Sequence, residues 1–167
     1  MKLIIPIAVA LQLSTGALAK DFFIYAGQIQ PTHNGGDTWT AFGFFPSRPE
    51  QCTPGHDVDM KLYDKSNDVS HGRIGVVCEG DGCPDNQMDP DKITRLEFST
   101  DFGHFTYYSP HNEFVGLDGN VYGHCYPMPI YMNSIDCHMG KDEHKMYRGW
   151  SYFWCKSDIA MNDNQGL

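Results

Sequence analysis

Residues 114–125 read Phe-Val-Gly-Leu-Asp-Gly-Asn-Val-Tyr-Gly-His-Cys, and the Asp118-Gly119 pair at their centre decides the fold class. Asp-Gly between two short apolar and aromatic runs is a strong β-hairpin signal, because glycine adopts the positive φ that a two-residue turn requires. The reading joins a strand over 114–117 to one over 120–125. Upstream, Ile93–Ser99 and His104–Tyr108 flank Thr100-Asp101-Phe102-Gly103, a second hairpin with Gly103 at positive φ. Downstream, Ile135–Met139 and Gly149–Lys156 read as further strands.

Toward the N-terminus the same punctuation continues. Phe22–Ile29 is rich in aromatic and β-branched residues, and Thr38–Phe45 follows a Pro/Asn/Gly break. Asp57–Tyr63 alternates polar and apolar residues, which puts the two sets on opposite faces of a strand. Arg73–Cys78 is denser in apolar residues. Asp142–Tyr147 reads as a single helical turn. No segment after residue 19 sustains helical periodicity over ten residues. Many short strands separated by Gly, Pro, Asn and Asp predict an all-β domain, a compact antiparallel sandwich or barrel-like fold.

The first nineteen residues form a separate unit. Met1-Lys2 precedes an apolar run from Leu3 to Leu13, and Ala17-Leu18-Ala19 supplies a small-x-small cleavage site. This is the pattern of a secretory leader, too short to span a bilayer. The expected organisation is a signal peptide over 1–19, one β domain over 20–160 and a disordered polar tail over 161–167. No second apolar run of spanning length follows, so membrane insertion is not expected, and no N-glycosylation sequon occurs. The expected product is a secreted, extracellular monomer.

The chain carries 12 basic and 21 acidic residues, a formal charge of −9. Losing Lys2 with the leader takes this one unit further, to −10. A negative field repels polyphosphates, which argues against nucleic acid as a partner.

All six cysteines, Cys52, Cys78, Cys83, Cys125, Cys137 and Cys155, follow the leader. An even count in an exported chain predicts three disulfides. Proximity favours Cys78–Cys83, leaving Cys52, Cys125, Cys137 and Cys155 to tie the domain ends together in an order that sequence does not choose. Zinc is the weaker reading, since no paired C-x-x-C spacing is present.

Three sets of residues carry chemistry. Trp150, Tyr152 and Trp154 lie at i, i+2, i+4 of the last strand, an aromatic stripe suited to stacking on a ligand. The plainer reading is a strand buried on both sides, because Ser151, Phe153 and Cys155 occupy the alternate positions. Asp81, Asp85 and Asp89 sit in a Gly/Asp/Pro loop and offer oxygen ligands, which makes calcium the one cofactor to consider. Acidic loops commonly bind no metal, and the spacing is not that of an EF-hand. Arg95 and Glu97 share a strand face, with His104 across the hairpin, a grouping similar to that which secreted fungal ribonucleases use. A surface ion pair is the commoner explanation. The eight histidines form no H-E-x-x-H, and Gly149-Trp150-Ser151-Tyr152-Phe153 lacks the second glycine of a nucleophile elbow.

Two resemblances bear on function. Lys92, Ile93, Arg95, Leu96, Phe98, Gly103 and Tyr107, then Gly123-His124-Cys125-Tyr126 and the late Cys137 and Cys155, resemble small secreted fungal proteins grouped as effector candidates. That resemblance implies secretion and action on a host, with no catalytic residues attached. Ile93, Leu96, Phe98, Thr100 and Gly103 are spaced similarly to a strand pair of jacalin-like lectins, which implies sugar binding. The Gly-x-x-x-Asp sugar loop of those lectins has no counterpart, since Phe153 lies four residues after Gly149. The expected function is non-enzymatic: an effector-like protein binding a protein or glycan of a host or cell wall. A carbohydrate-binding module is the second reading, and a small ribonuclease-like hydrolase using Arg95, Glu97 and His104 the third.

Overall fold

The computed structural model describes residues 20–31, 36–45, 47–49, 59–62, 69, 73, 75–84, 88–100, 103–130, 133–138 and 145–158. The expected leader, Cys52, Asp85 and the C-terminal tail lie outside these residues. Ten strands carry the fold: β1 (Lys20–Pro31), β2 (Trp39–Phe45), β3 (Asp59–Leu62), β4 (Gly75–Gly80), β5 (Ile93–Thr100), β6 (Gly103–Tyr108), β7 (Glu113–Gly116), β8 (Val121–Pro127), β9 (Ser134–His138) and β10 (Lys145–Ser157). One 3-10 turn, Pro90–Lys92, is the sole helical element among the described residues.

The strands form one antiparallel sheet in the order β3-β2-β1-β10-β8-β7-β6-β5-β4, with β9 also paired to β10. The outer strands β3 and β4 come beside each other, so the sheet is nearly closed into a barrel. Of the two expected architectures, the barrel is the one found. Both expected hairpins form, with Gly103 at φ 138° and Gly119 at φ 78°. At the second turn the Asp118 carboxylate accepts from the Asn120 backbone N–H at 3.0 Å and from the Tyr122 hydroxyl at 2.7 Å. The Asn120 backbone donor first, then the Tyr122 and Asn120 side chains, hold the Asp118 carboxyl below its ordinary value.

Aromatic rings fill the barrel. Phe44 of β2 meets Phe98 of β5 at 5.2 Å, and Tyr107 of β6 meets Phe153 of β10 at 4.7 Å. These strands are not neighbours in the sheet, so the rings cross the interior. A second buried group, including Tyr25, Ile29, Phe45, Ile135 and Tyr147, covers the opposite face of β1, β2, β9 and β10.

β10 belongs to both groups, and a bulge explains how. Ile24 pairs with Phe153 but Tyr25 pairs with Ser151, so Tyr152 is an extra residue with no partner on β1. The other edge of β10 changes partner at the same place. Met146–Trp150 pair with β9, and Phe153–Ser157 pair with β8. A bulge switches the side to which following residues point. Tyr147 therefore lies in the second group while Phe153 and Cys155 face the barrel interior.

One expectation needs correction here. Lys145–Tyr147 open β10 rather than closing a helical turn. Pairing to β1 on one edge and β9 on the other satisfies the backbone over this stretch, and sheet formation overrides the local sequence. Residues 142–144 lie outside the described residues. Where three bridges are expected, the described residues show two: Cys78–Cys83 and Cys125–Cys155. Cys137 is also disulfide-bonded.

Cys125 and Cys155 face each other directly across β8 and β10. The Cys125 N–H is turned the other way, donating to Asn112 O at 2.7 Å, so the pair is not hydrogen-bonded. Such pairs bring side chains closest. The bridge closes a loop spanning 30 residues, and a loop of that size typically contributes ~3 kcal/mol. A Cys125→Ala, Cys155→Ala double variant should lose about that much in urea unfolding, with Tm falling by roughly 6–12 °C. A loss below ~1 kcal/mol would show that β8–β10 pairing holds without it.

Candidate functional site

The aromatic stripe expected on the last strand does not exist as one surface. Trp150 and Tyr152 precede or form the bulge, and Trp154 follows it. Register aligns Trp150 with Ala26, a barrel-interior residue, and Trp154 with Phe23 on the opposite face. Tyr152 is fully buried and its hydroxyl donates to Gly82 O at 2.8 Å. Its work is to pin the Cys78–Cys83 loop to the barrel.

Trp154 instead joins a different set. Cross-strand register aligns Tyr126 of β8, Trp154 of β10 and Phe23 of β1 in one row on the outer face. Tyr126 is 39% exposed, and Trp154 and Phe23 are half-buried. The Tyr126 and Trp154 rings lie 5.7 Å apart and are tilted by 38°, side by side rather than stacked. They offer a continuous aromatic surface. The Lys156 ammonium sits over the Trp154 ring, 4.8 Å from its centroid, in a cation–π contact. Tyr126, Phe23 and Lys156 were not singled out from sequence. The pattern that finds them is cross-strand register, which no single segment carries.

Next to this row lies a polar one. Glu113 of β7 aligns with His124 of β8, His124 with Lys156 of β10, and Lys156 with Asp21 of β1. Each is two residues along its strand from an aromatic position or continues the same row, so both rows share the outer face. Among the described residues, Asp21, Glu113 and His124 make no ion pair or side-chain hydrogen bond.

The structure does bring Arg95, Glu97 and His104 together. His104 Nε2 lies 2.7 Å from Glu97 Oε1, Arg95 Nη1 lies 3.7 Å from Glu97 Oε2, and Arg95 Nη2 lies 2.6 Å from Glu79 Oε1. Glu79 of β4 is the member that sequence reading missed. It pairs with Arg95 across β4 and β5. As acid–base machinery the group has a defect. Nε2 of His104 is engaged by Glu97, Nδ1 is buried without a partner, and the ring is only 9% exposed. A general base must reach its proton within hydrogen-bond distance, and neither ring nitrogen is offered to solvent. The four side chains read as an ion-pair network tying β4, β5 and β6 together.

In the acidic loop, Asp89 caps the 3-10 turn by accepting from the Asp91 N–H at 3.3 Å, and its other oxygen meets Lys92 Nζ at 3.0 Å. Asp81 is exposed. Among the described residues no three His, Cys, Asp or Glu side chains gather in an arrangement that holds a metal ion.

No protein-family model, no curated protein and no solved structure matches this chain.

Proposed function

We propose that the protein is an exported binding protein, effector-like, that recognises a component of a host or cell surface through the outer face of β8, β10 and β1. The observation carrying this reading is the Tyr126–Trp154–Phe23 row, an aromatic surface held on three paired strands. Aromatic rings supply large contact area at low entropic cost when already fixed, and exposed patches of them mark binding surfaces. Rigid strands make the patch preorganised, which lowers the cost of association.

Export is supported by the disulfide bonds. Disulfides suit an oxidising compartment. Among the described residues no helix is long and apolar enough to cross a membrane. A hydrolytic role draws support from the Glu97–His104 contact, but the enclosed ring of His104 weighs against it.

The test uses labelled, oxidised, leaderless protein with intact cells and wall fragments. Tyr126→Ser and Trp154→Ala, each checked for folding by circular dichroism, should bind at least ~10-fold more weakly than the parent, a range typical of central aromatic contacts. Unchanged binding by both folded variants would remove this face from the reading.

A further inference from the structure

We infer that the outer-face platform takes a neutral glycan, an inference that rests on the binding role proposed above and names its ligand class. The argument starts from what borders the aromatic row. The neighbouring row presents, on successive strands, the Glu113 carboxylate, the His124 imidazole, the Lys156 ammonium and the Asp21 carboxylate. Carboxylates only accept hydrogen bonds and an ammonium only donates them, while imidazole does either according to tautomer. The row therefore alternates in what it offers.

Each ligand class meets this alternation differently. An anionic ligand laid along the row meets two carboxylates, Glu113 and Asp21, within a chain of formal charge −9. A cationic ligand meets Lys156. A flat apolar partner would strip water from charged groups and return nothing, which disfavours it. A sugar ring suits the whole arrangement. Each hydroxyl both donates and accepts, so it pairs with carboxylate, imidazole and ammonium alike. Its apolar C–H face lies on an aromatic ring.

The geometry fits an extended chain of sugars. Neighbouring strands lie ~4.8 Å apart, so three aromatic positions span roughly 10 Å across the strands, with the polar row ~7 Å to one side. Tyr126 and Trp154 are paired across β8 and β10 with ring centroids 5.7 Å apart along that direction. Among the described residues Asp21, Glu113 and His124 make no ion pair or side-chain hydrogen bond, and this is the second observation that points to a polar ligand. Trp39 supplies an internal control. It is 41% exposed and carries its own cation, Lys145, at 5.6 Å, but on β2 it aligns with Ile29 of β1, and among the described residues no second exposed ring lies beside it in register.

The experiment is titration calorimetry and glycan-array binding with neutral hexasaccharides of (1→3)-linked glucose, (1→4)-linked glucose and (1→4)-linked N-acetylglucosamine. An oligogalacturonate serves as the anionic comparison. At least one neutral hexasaccharide should bind, and Tyr126→Ser and Trp154→Ala should each weaken it at least tenfold. Glu113→Gln with Asp21→Asn should weaken it less than tenfold, and Trp39→Ala should leave it unchanged. Binding of the oligogalacturonate alone would overturn the inference, as would glycan binding that survives both Tyr126→Ser and Trp154→Ala. If no glycan binds but cell-surface binding is still lost in those variants, the glycan is wrong and the binding face stands. If the variants change neither, both readings fail.

Discussion

Gly27→Ala is expected to cost at least ~3 kcal/mol, the largest effect of any single substitution considered for this fold. Gly27 is buried in β1, between Gly149 of β10 and Ala41 of β2. A Cβ placed there runs into the carbonyl oxygen of Arg148 and stands 2.6 Å from the Gly149 Cα. Both obstacles are backbone. A flexible side chain would swing aside, but backbone moves only with its strand, and β10 is held by β1 on one edge and β9 on the other. Overpacking against side chains costs about 1–3 kcal/mol, and a backbone obstacle places this variant at or above the top of that range. Domains of this size are stable by only ~5–15 kcal/mol, so the variant should unfold at far lower urea or fail to accumulate. Gly119→Ala is the contrast. Nothing lies within 4 Å of its Cβ, and only φ 78° opposes it, which amounts to ~1 kcal/mol. Equal losses at the two positions would show that β1 and β10 can separate locally and that the packing argument is wrong.

Glycine also shapes the other side of β10. A Cβ on Gly149 would meet the Tyr147 ring at 2.5 Å, and one on Gly43 would come within 3.4 Å of the Tyr147 hydroxyl. The tyrosine lies over these two glycines and donates to Tyr25 O at 3.1 Å. Its phenol fills space that larger residues would occupy.

The strands were legible because each is a short run closed by turn residues. Asp118-Gly119 and Thr100–Gly103 mark their hairpins through glycines that the structure holds at positive φ. Cys78–Cys83 was legible because five residues of separation leave little choice of partner. Arg95, Glu97 and His104 were legible as neighbours because they belong to one hairpin. What failed was the assumption of strict alternation through β10. One extra residue at Tyr152 turns Trp154 to the face opposite Trp150, and nothing in Gly-Trp-Ser-Tyr-Phe-Trp-Cys announces it. The bulge is set by the change of partner from β9 to β8, a tertiary fact. The platform was hidden for the same reason. Phe23, Tyr126 and Trp154 are far apart in sequence, and only sheet order makes them adjacent.

The second large effect is expected at high pH. Four phenols are buried, Tyr25, Tyr107, Tyr147 and Tyr152, and burial raises the first three. Burial pushes the Tyr107 phenol up to about 12, with the Asp91 charge adding to it. Burial raises Tyr147 well beyond its ordinary range, and it raises Tyr25 against the partial relief of Asn133 and Arg48. A raised acid holds its proton more tightly when folded. Its contribution is complete below the unfolded value of ~10 and is lost as pH climbs toward the folded value. For Tyr107 the window is pH 10 to about 12. Within it, each phenol that stays protonated in the fold while ionising in the unfolded chain costs ~1.4 kcal/mol per pH unit. Tyr107 and Tyr147 together cost ~3 kcal/mol per unit, which over about two units reaches the lower end of a typical domain's stability. The domain should therefore unfold as the pH approaches about 12, with the last rise in tyrosinate absorbance and the loss of β-sheet dichroism coming together. Tyr147→Phe should lower stability at pH 7 by ~1 kcal/mol through the lost hydrogen bond, yet flatten the alkaline slope by about half. Tyrosinate absorbance that climbs fully near pH 10 while the sheet signal holds would mean that these phenols reach solvent in the native state.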